Sequence, residues 1–160
     1  MTNRIVVGIA EMALSSEHQD ILVTYSLGSC LGVTIYDPDA KIGGMIHCML
    51  PVSGVDPQKA EKSPSMFVDT GVTKLLNEIY CAGAKKERII IKAAGCAQLL
   101  DPKGLFKIGE RNFTVLRKLL WKNGILLKSN VIGGSVSRTM ILEIGSGKTF
   151  VKSQGEEVEI

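Results

Sequence analysis

Apolar residues fall along this chain in short runs separated by turn-forming residues, and their spacing divides it into elements. Leu31, Val33 and Ile35 alternate with Gly32, Thr34 and Tyr36, a period of two that predicts a half-buried strand. Further strands are predicted over 4–10 (RIVVGIA), 21–26 (ILVTYS) and 43–50 (GGMIHCML). The intervening DPDAKIGG joins Pro38, which presets φ, to the flexible pair Gly43-Gly44, so strands 31–37 and 43–50 are expected to form a hairpin. Three prolines with Gly and Ser make 51–64 a surface loop. Phe67, Val68, Val72, Leu75, Leu76 and Ile79 then recur at helical spacing, with Ser65 placed to cap the helix and Gly83 to end it. The unbroken Ile89-Ile90-Ile91 within 88–95 reads as a strand covered on both faces. A second helix over about 109–122 is marked by Phe113, Leu116, Leu119 and Leu120 and stopped by Asn123-Gly124. Three further strands with glycine-rich joints are predicted after it. About seven strands and two helices predict an α/β sandwich in which the helices cover a mixed, largely antiparallel sheet, in one domain spanning 1–160.

Composition narrows the class. Of the 160 residues 45% are hydrophobic and 22% charged, with no run of about 18 apolar residues, so a soluble protein without a membrane span is expected. The opening apolar run, Ile5 to Ala10, is too short for a secretory signal, so the cytoplasm is the expected compartment. Nineteen basic residues against sixteen acidic give a net charge of only +3, and aromatics make up 5%. Nucleic acid is therefore a poor candidate partner, since charge along a backbone and stacking rings are both scarce.

The four cysteines, Cys30, Cys48, Cys81 and Cys96, form no Cys-x-x-Cys pair, and in a reducing compartment they are expected to be free thiols. Cys30 stands apart. It ends the turn Leu27-Gly-Ser-Cys30 between two apolar runs, whereas Cys48, Cys81 and Cys96 read as packing residues. A thiol is mostly protonated at neutral pH and needs a base to act as a nucleophile. Of the two histidines, His18 lies in the polar stretch SSEHQD and reads as a solvated loop residue; His47 lies in the strand predicted to pair with the one that Cys30 begins. With the hairpin turning near Asp39-Ala40, Cys30 faces Met49 and His47 faces Gly32, within one step of register, where opposite and diagonal Cβ atoms are about 5–8 Å apart. The imidazole needs its second nitrogen held. Strand 21–26 carries no acid and offers the Thr24 hydroxyl, or less suitably Tyr25 or Ser26. Backbone N–H groups of the Gly28-Ser29-Cys30 turn could hold an oxyanion. Two readings stand at this point: a thiol acyl-transfer site, or a strand-end packing cysteine beside a core histidine. Gly145-Ser-Gly-Lys-Thr149 is not a phosphate loop, because Leu142 stands where that motif needs glycine; it reads as a hairpin turn.

VTYSLGSCLGVTIYD followed by GGMIHCMLP, with FVDTGVTKLLNE, IGERN at 108–112 and GGSVSR at 133–138, resembles the CheD family of bacterial chemoreceptor glutamine deamidases over nearly the whole chain. The resemblance implies a three-layer α/β sandwich related to the catalytic domain of cytotoxic necrotizing factor toxins. It implies hydrolysis of glutamine side chains on chemoreceptors, without metal or organic cofactor, and for many members binding of CheC. Residue by residue it implies Cys30 as nucleophile, His47 as base and Thr24 as the residue orienting His47. Gly28, Ser29 and Arg138 are expected as site architecture, Arg138 with a competing role in a surface ion pair. Where the family usually has Gly-Gly-Ala, this chain has Gly95-Cys96-Ala97, followed by a less typical segment to Gly104. Two other functions compete with deamidation: a non-catalytic module that docks CheC or receptors, and another thiol hydrolase such as a receptor methylesterase.

Overall fold

A computed structural model describes residues 1–99 and 103–160 of the chain. Among them, ten strands form two five-stranded sheets. The first has the order β1 (Asn3–Val6), β3 (Asp20–Leu27), β8 (Arg138–Glu143), β9 (Thr149–Ser153), β10 (Glu156–Glu159). The second has the order β2 (Met12–Ser15), β5 (Ile42–Cys48), β4 (Leu31–Asp37), β6 (Ile90–Gly95), β7 (Leu127–Ile132). All neighbouring pairs are antiparallel except β1 with β3 and β6 with β7. Two helices, α2 (Val68–Cys81) and α3 (Ile108–Lys122), pack on the second sheet. The layers therefore run sheet, sheet, helices.

The second sheet lies in the middle, which explains the composition of its strands. Every residue of β4 and β5 is buried. Leu31, Val33 and Ile35 join the core shared with Val72, Leu75 and Leu116 of the helices. Tyr36 and Met45 join the core shared with Leu22, Met140 and Leu142 of the first sheet. The half-buried reading of β4 is thus corrected: its Gly32, Thr34 and Tyr36 face meets a second sheet and not water. Gly32 is small because any Cβ there would strike Leu27 and Met140 of that sheet. The predicted hairpin is present, with Asp37 opposite Ile42 and Gly32 opposite His47.

Other expectations move. The predicted strand 4–10 ends at Val6, and the chain starts a separate strand, β2, in the other sheet. The 51–64 loop contains a short helix, α1 (Pro57–Lys62), whose first turn is capped by the Asp56 side chain on the Lys59 N–H. Ser65 does not cap α2; it lies in a 3-10 turn, and the capping position is Phe67, which supplies no side-chain bond. Cys81 is exposed on α2, not packed, because it lies off the helix's buried face of Val68, Val72, Leu75 and Ile79. GSGKT forms the β8–β9 hairpin turn, closed by the Gly147 N–H on the Glu143 carbonyl.

Candidate active site

The chain changes sheet between β3 and β4, and the link is three residues long: Gly28, Ser29, Cys30. Cys30 therefore sits where the ends of both sheets meet. A bulge after Thr24, with Ser26 at a φ of 58°, re-aims the end of β3 toward this crossing. Cys30 is partly exposed and lines a cleft of about 700 Å³ with Ser29, Cys96, Gly109 and Phe113. Continuing the β4–β5 register by one step sets Cys30 opposite Met49, so His47 lies diagonally across on the adjacent strand, as the hairpin count predicted.

His47 and Thr24 meet across the two sheets. The Thr24 hydroxyl oxygen lies 2.7 Å from His47 Nδ1 and 2.6 Å from the Val7 carbonyl oxygen. A carbonyl only accepts, so the single hydroxyl proton goes to Val7 and the hydroxyl oxygen must accept from Nδ1–H. That chain of two bonds fixes the tautomer: Nδ1 carries the proton and Nε2 keeps its lone pair. Nε2 is fully buried and makes no hydrogen bond among the described residues, one with the Cys30 thiol included. Burial lowers the His47 pKa below its ordinary 6.5. Burial also raises the Cys30 thiol, opposed by the residue's own backbone N–H. Thiol and imidazole are both neutral at rest.

The turn carrying Cys30 is held from behind. The Ala97 N–H donates to the Gly28 carbonyl and the Cys96 N–H to the Cys30 carbonyl, each at 2.8 Å. The carboxamide of Asn112, on α3, donates to the Ser29 carbonyl at 3.0 Å and to the Met49 carbonyl at 3.1 Å. Arg138 does not form a surface ion pair. It is buried, its guanidinium donates to the Gly95 carbonyl at 3.1 Å, and no carboxylate pairs with it among the described residues. Cys96 is buried, with its thiol pushed up to about 12 by desolvation. His18 lies on an exposed turn away from these groups. Of the unusual segment from Cys96 to Gly104, positions 100–102 lie outside the described residues.

Sequence reasoning had singled out Thr24, Cys30 and His47, and the structure joins Thr24 to His47 directly. It missed Asn112 and the Val7 carbonyl. Asn112 carried a signal nonetheless: it shares a buried stripe with Leu116 and Leu120, and a polar side chain on such a stripe needs a partner.

The family model and similar relatives point to one family. The family model for CheD, described as chemotactic sensory transduction, matches residues 49–153. That span begins two residues after His47, but relatives cover the remainder. A protein of Solibacter usitatus named "Probable chemoreceptor glutamine deamidase CheD" is 47% identical over 157 residues, 98% of this chain and 93% of that one. The corresponding "CheD 1" of Syntrophus aciditrophicus is 46% identical over 94% of both chains. "CheD 2" of Anaeromyxobacter dehalogenans is 36% identical over 96% of both. With relatives this similar over nearly its whole length, and a family model matching well over half of it, the chain belongs to the CheD family.

Proposed function

We propose that this protein hydrolyses the side-chain amide of glutamine residues on chemoreceptors to glutamate, with Cys30 as nucleophile, His47 as general base and acid, and Thr24 as the residue that orients His47. The observation that carries the reading is the Val7–Thr24–His47 chain, which leaves Nε2 as an unprotonated base on the strand beside Cys30. A core histidine serving only to pack has no need of a relay that bares its second nitrogen inside the protein.

The steps follow from this proton inventory. As glutamine enters the cleft, the thiol and Nε2 come into hydrogen-bond contact, a contact that commonly tightens only in the substrate complex. Sγ attacks the amide carbon while its proton passes to Nε2, and the carbonyl π pair moves onto oxygen. The oxyanion is held by backbone N–H groups of the Cys30 turn. Collapse breaks the C–N bond, and His47 gives its proton to the departing amine, which leaves as ammonia. Water then attacks the thioester carbonyl with Nε2 taking its proton, the C–S bond breaks, and that proton returns to the thiolate. Glutamate and the starting enzyme remain. Neutral resting groups suit this order, since the thiol is deprotonated in the step in which it attacks.

The reading includes residues 1–160 acting as one domain, the cytoplasm as the place of action, receptor cytoplasmic segments as substrate and CheC as a partner, the last two of which rest on the family. Incubation with a receptor cytoplasmic fragment should release ammonia, with conversion of specific glutamines to glutamate seen by mass spectrometry. Cys30→Ala should abolish release, and His47→Ala should lower it by about 10²–10⁴-fold. Ammonia release that survives Cys30→Ala would refute the mechanism. Receptor or CheC binding by the wild type without ammonia would favour a docking module, and methanol release from methylated receptor an esterase.

A further inference from the structure

The clearest feature that the proposed chemistry leaves unused is Asn112. Its side chain is fully buried, and its NH2 group faces two carbonyl oxygens, those of Ser29 and Met49. Both partners are acceptors, so the amino group must be the one facing them. Its Oδ1 is buried and meets no donor among the described residues. An orphaned buried acceptor costs about 1–3 kcal/mol, and a leucine at this place on the apolar stripe would avoid that cost only by taking the donor from the Ser29 and Met49 carbonyls. Packing alone does not account for the residue.

What the two bonds do follows from peptide geometry. In a trans peptide the C=O and the next N–H point in opposite directions, and the structure contains no cis peptide bond among the described residues. The bond from Asn112 turns the Ser29 carbonyl toward the Asn112 carboxamide, so the Cys30 N–H of the same peptide is directed away from that carboxamide. The neighbouring bond from the Ala97 N–H to the Gly28 carbonyl fixes the Ser29 N–H in the same manner. Neither the Ser29 nor the Cys30 N–H donates to a backbone carbonyl among the described residues. A hydrogen bond accepted by a carbonyl also polarises the N–H of the same peptide.

We infer that Asn112 is a positioning residue for the oxyanion hole: by holding the Ser29 carbonyl it aims and polarises the Cys30 N–H at the oxygen of the carbonyl that Cys30 attacks. Its second bond, to Met49, ties the end of β5 to the same side chain and keeps the hole in register with His47. The inference deepens the proposed function and rests on Cys30 as the nucleophile.

The test compares two reactions of one sulfur atom. Attack on p-nitrophenyl acetate forms an S–C bond, places the carbonyl electron pair on oxygen and then expels p-nitrophenolate, with the thiol proton taken by His47. Iodoacetamide is displaced at a saturated carbon, with iodide leaving, and no oxyanion forms. Both rates are read at Cys30 by mass spectrometry, in a Cys81→Ser background because Cys81 is exposed. Asn112→Ala and the near-isosteric Asn112→Leu should slow acylation at least about tenfold, a fraction of the 10²–10³ lost with an oxyanion donor, and leave alkylation within about twofold. Acylation unchanged, acylation and alkylation falling together, or neither variant folding would each overturn the inference and make Asn112 a structural tie. These results are separable from failure of the function. Wild-type ammonia release with acylation unaffected by Asn112 removes this inference alone, while a wild-type Cys30 that acylates no faster than a free thiol removes the proposed nucleophile and the inference together.

Discussion

Thr24 is the residue on which the geometry makes its sharpest demand, because one hydroxyl proton sets the tautomer of a buried imidazole. Thr24→Val keeps the shape and removes both hydrogen bonds. Nδ1 and Nε2 then compete for the proton, and the population with a bare Nε2 falls. We expect kcat for receptor deamidation to drop by about 10²-fold with KM nearly unchanged, since the loss falls on proton transfer and not on binding. Stability should fall by about 1–3 kcal/mol, because the Val7 carbonyl and Nδ1 are left buried without partners. Thr24→Ser, which keeps the hydroxyl, should retain most of the rate. The ¹⁵N shifts of the His47 ring should report the Nδ1–H tautomer in the wild type and Thr24→Ser and a mixture in Thr24→Val. A single unchanged tautomer in all three would show that Thr24 does not set the proton.

At the scale of elements, the first turn of α3 acts as the backing plate of the site. A Cβ at Gly109 would lie 2.5 Å from the Cys96 carbonyl oxygen and 2.8 Å from that of Ala97, the segment whose N–H groups hold Gly28 and Cys30. Helix propensity alone favours Gly109→Ala by about 1 kcal/mol. The contact is with backbone and must reverse that gain, so the substitution should lower stability by about 1–3 kcal/mol and cut kcat by displacing the Cys30 turn. Gly54→Ala, whose added Cβ meets nothing within 4 Å among the described residues, serves as the control and should alter neither. Unchanged kcat in Gly109→Ala would mean that α3 does not position the turn. The periodic elements were legible in sequence: α2, α3 and the β4–β5 hairpin carry clear repeats of 3.6 or 2, and the hairpin count alone placed His47 beside Cys30. What sequence could not supply lay in contacts between elements distant in the chain. Gly109 reads as an ordinary glycine until the Cys96 carbonyl is set against it, and Asn112 acquires meaning only once Ser29 and Met49 converge on it. Sequence offers the Thr24 hydroxyl of strand 21–26 as a partner for His47, but not the packing that brings the two residues face to face between sheets.

For the molecule as a whole, the two buried interfaces hold several titratable groups neutral or charged against their ordinary tendency, which fixes how stability depends on pH. Asp37, at the β4–β5 turn, is raised by burial, but the Arg88 guanidinium and the N–H groups of Ala40, Lys85 and Asp39 outweigh this and hold it far below its ordinary 3.8. The folded state keeps it ionised while the unfolded chain takes up a proton, so its contribution is present above 3.8 and lost as pH falls. His47 is lowered by burial; as pH drops through 6.5 the unfolded chain gains a proton that the folded state refuses, and stability falls. The thiols act at the other end. Burial raises Cys48 strongly and Cys96 to about 12 from an ordinary 9.0, so above pH 9 the unfolded chain loses protons that the folded state retains. Stability should therefore be greatest between about pH 6.5 and 9 and decline on both sides. Each buried thiol contributes a slope approaching about 1.4 kcal/mol per pH unit in the alkaline limb. The measurement is urea unfolding under reducing conditions from pH 7 to 11, for the wild type and Cys48→Ala. At pH 7 the variant should be less stable, through its lost packing, and its deficit should shrink by about 1.4 kcal/mol for each unit above pH 9. A deficit constant with pH would mean that the Cys48 thiol ionises as freely in the fold as in the open chain, and that the layer between the second sheet and its helices is not closed to charge.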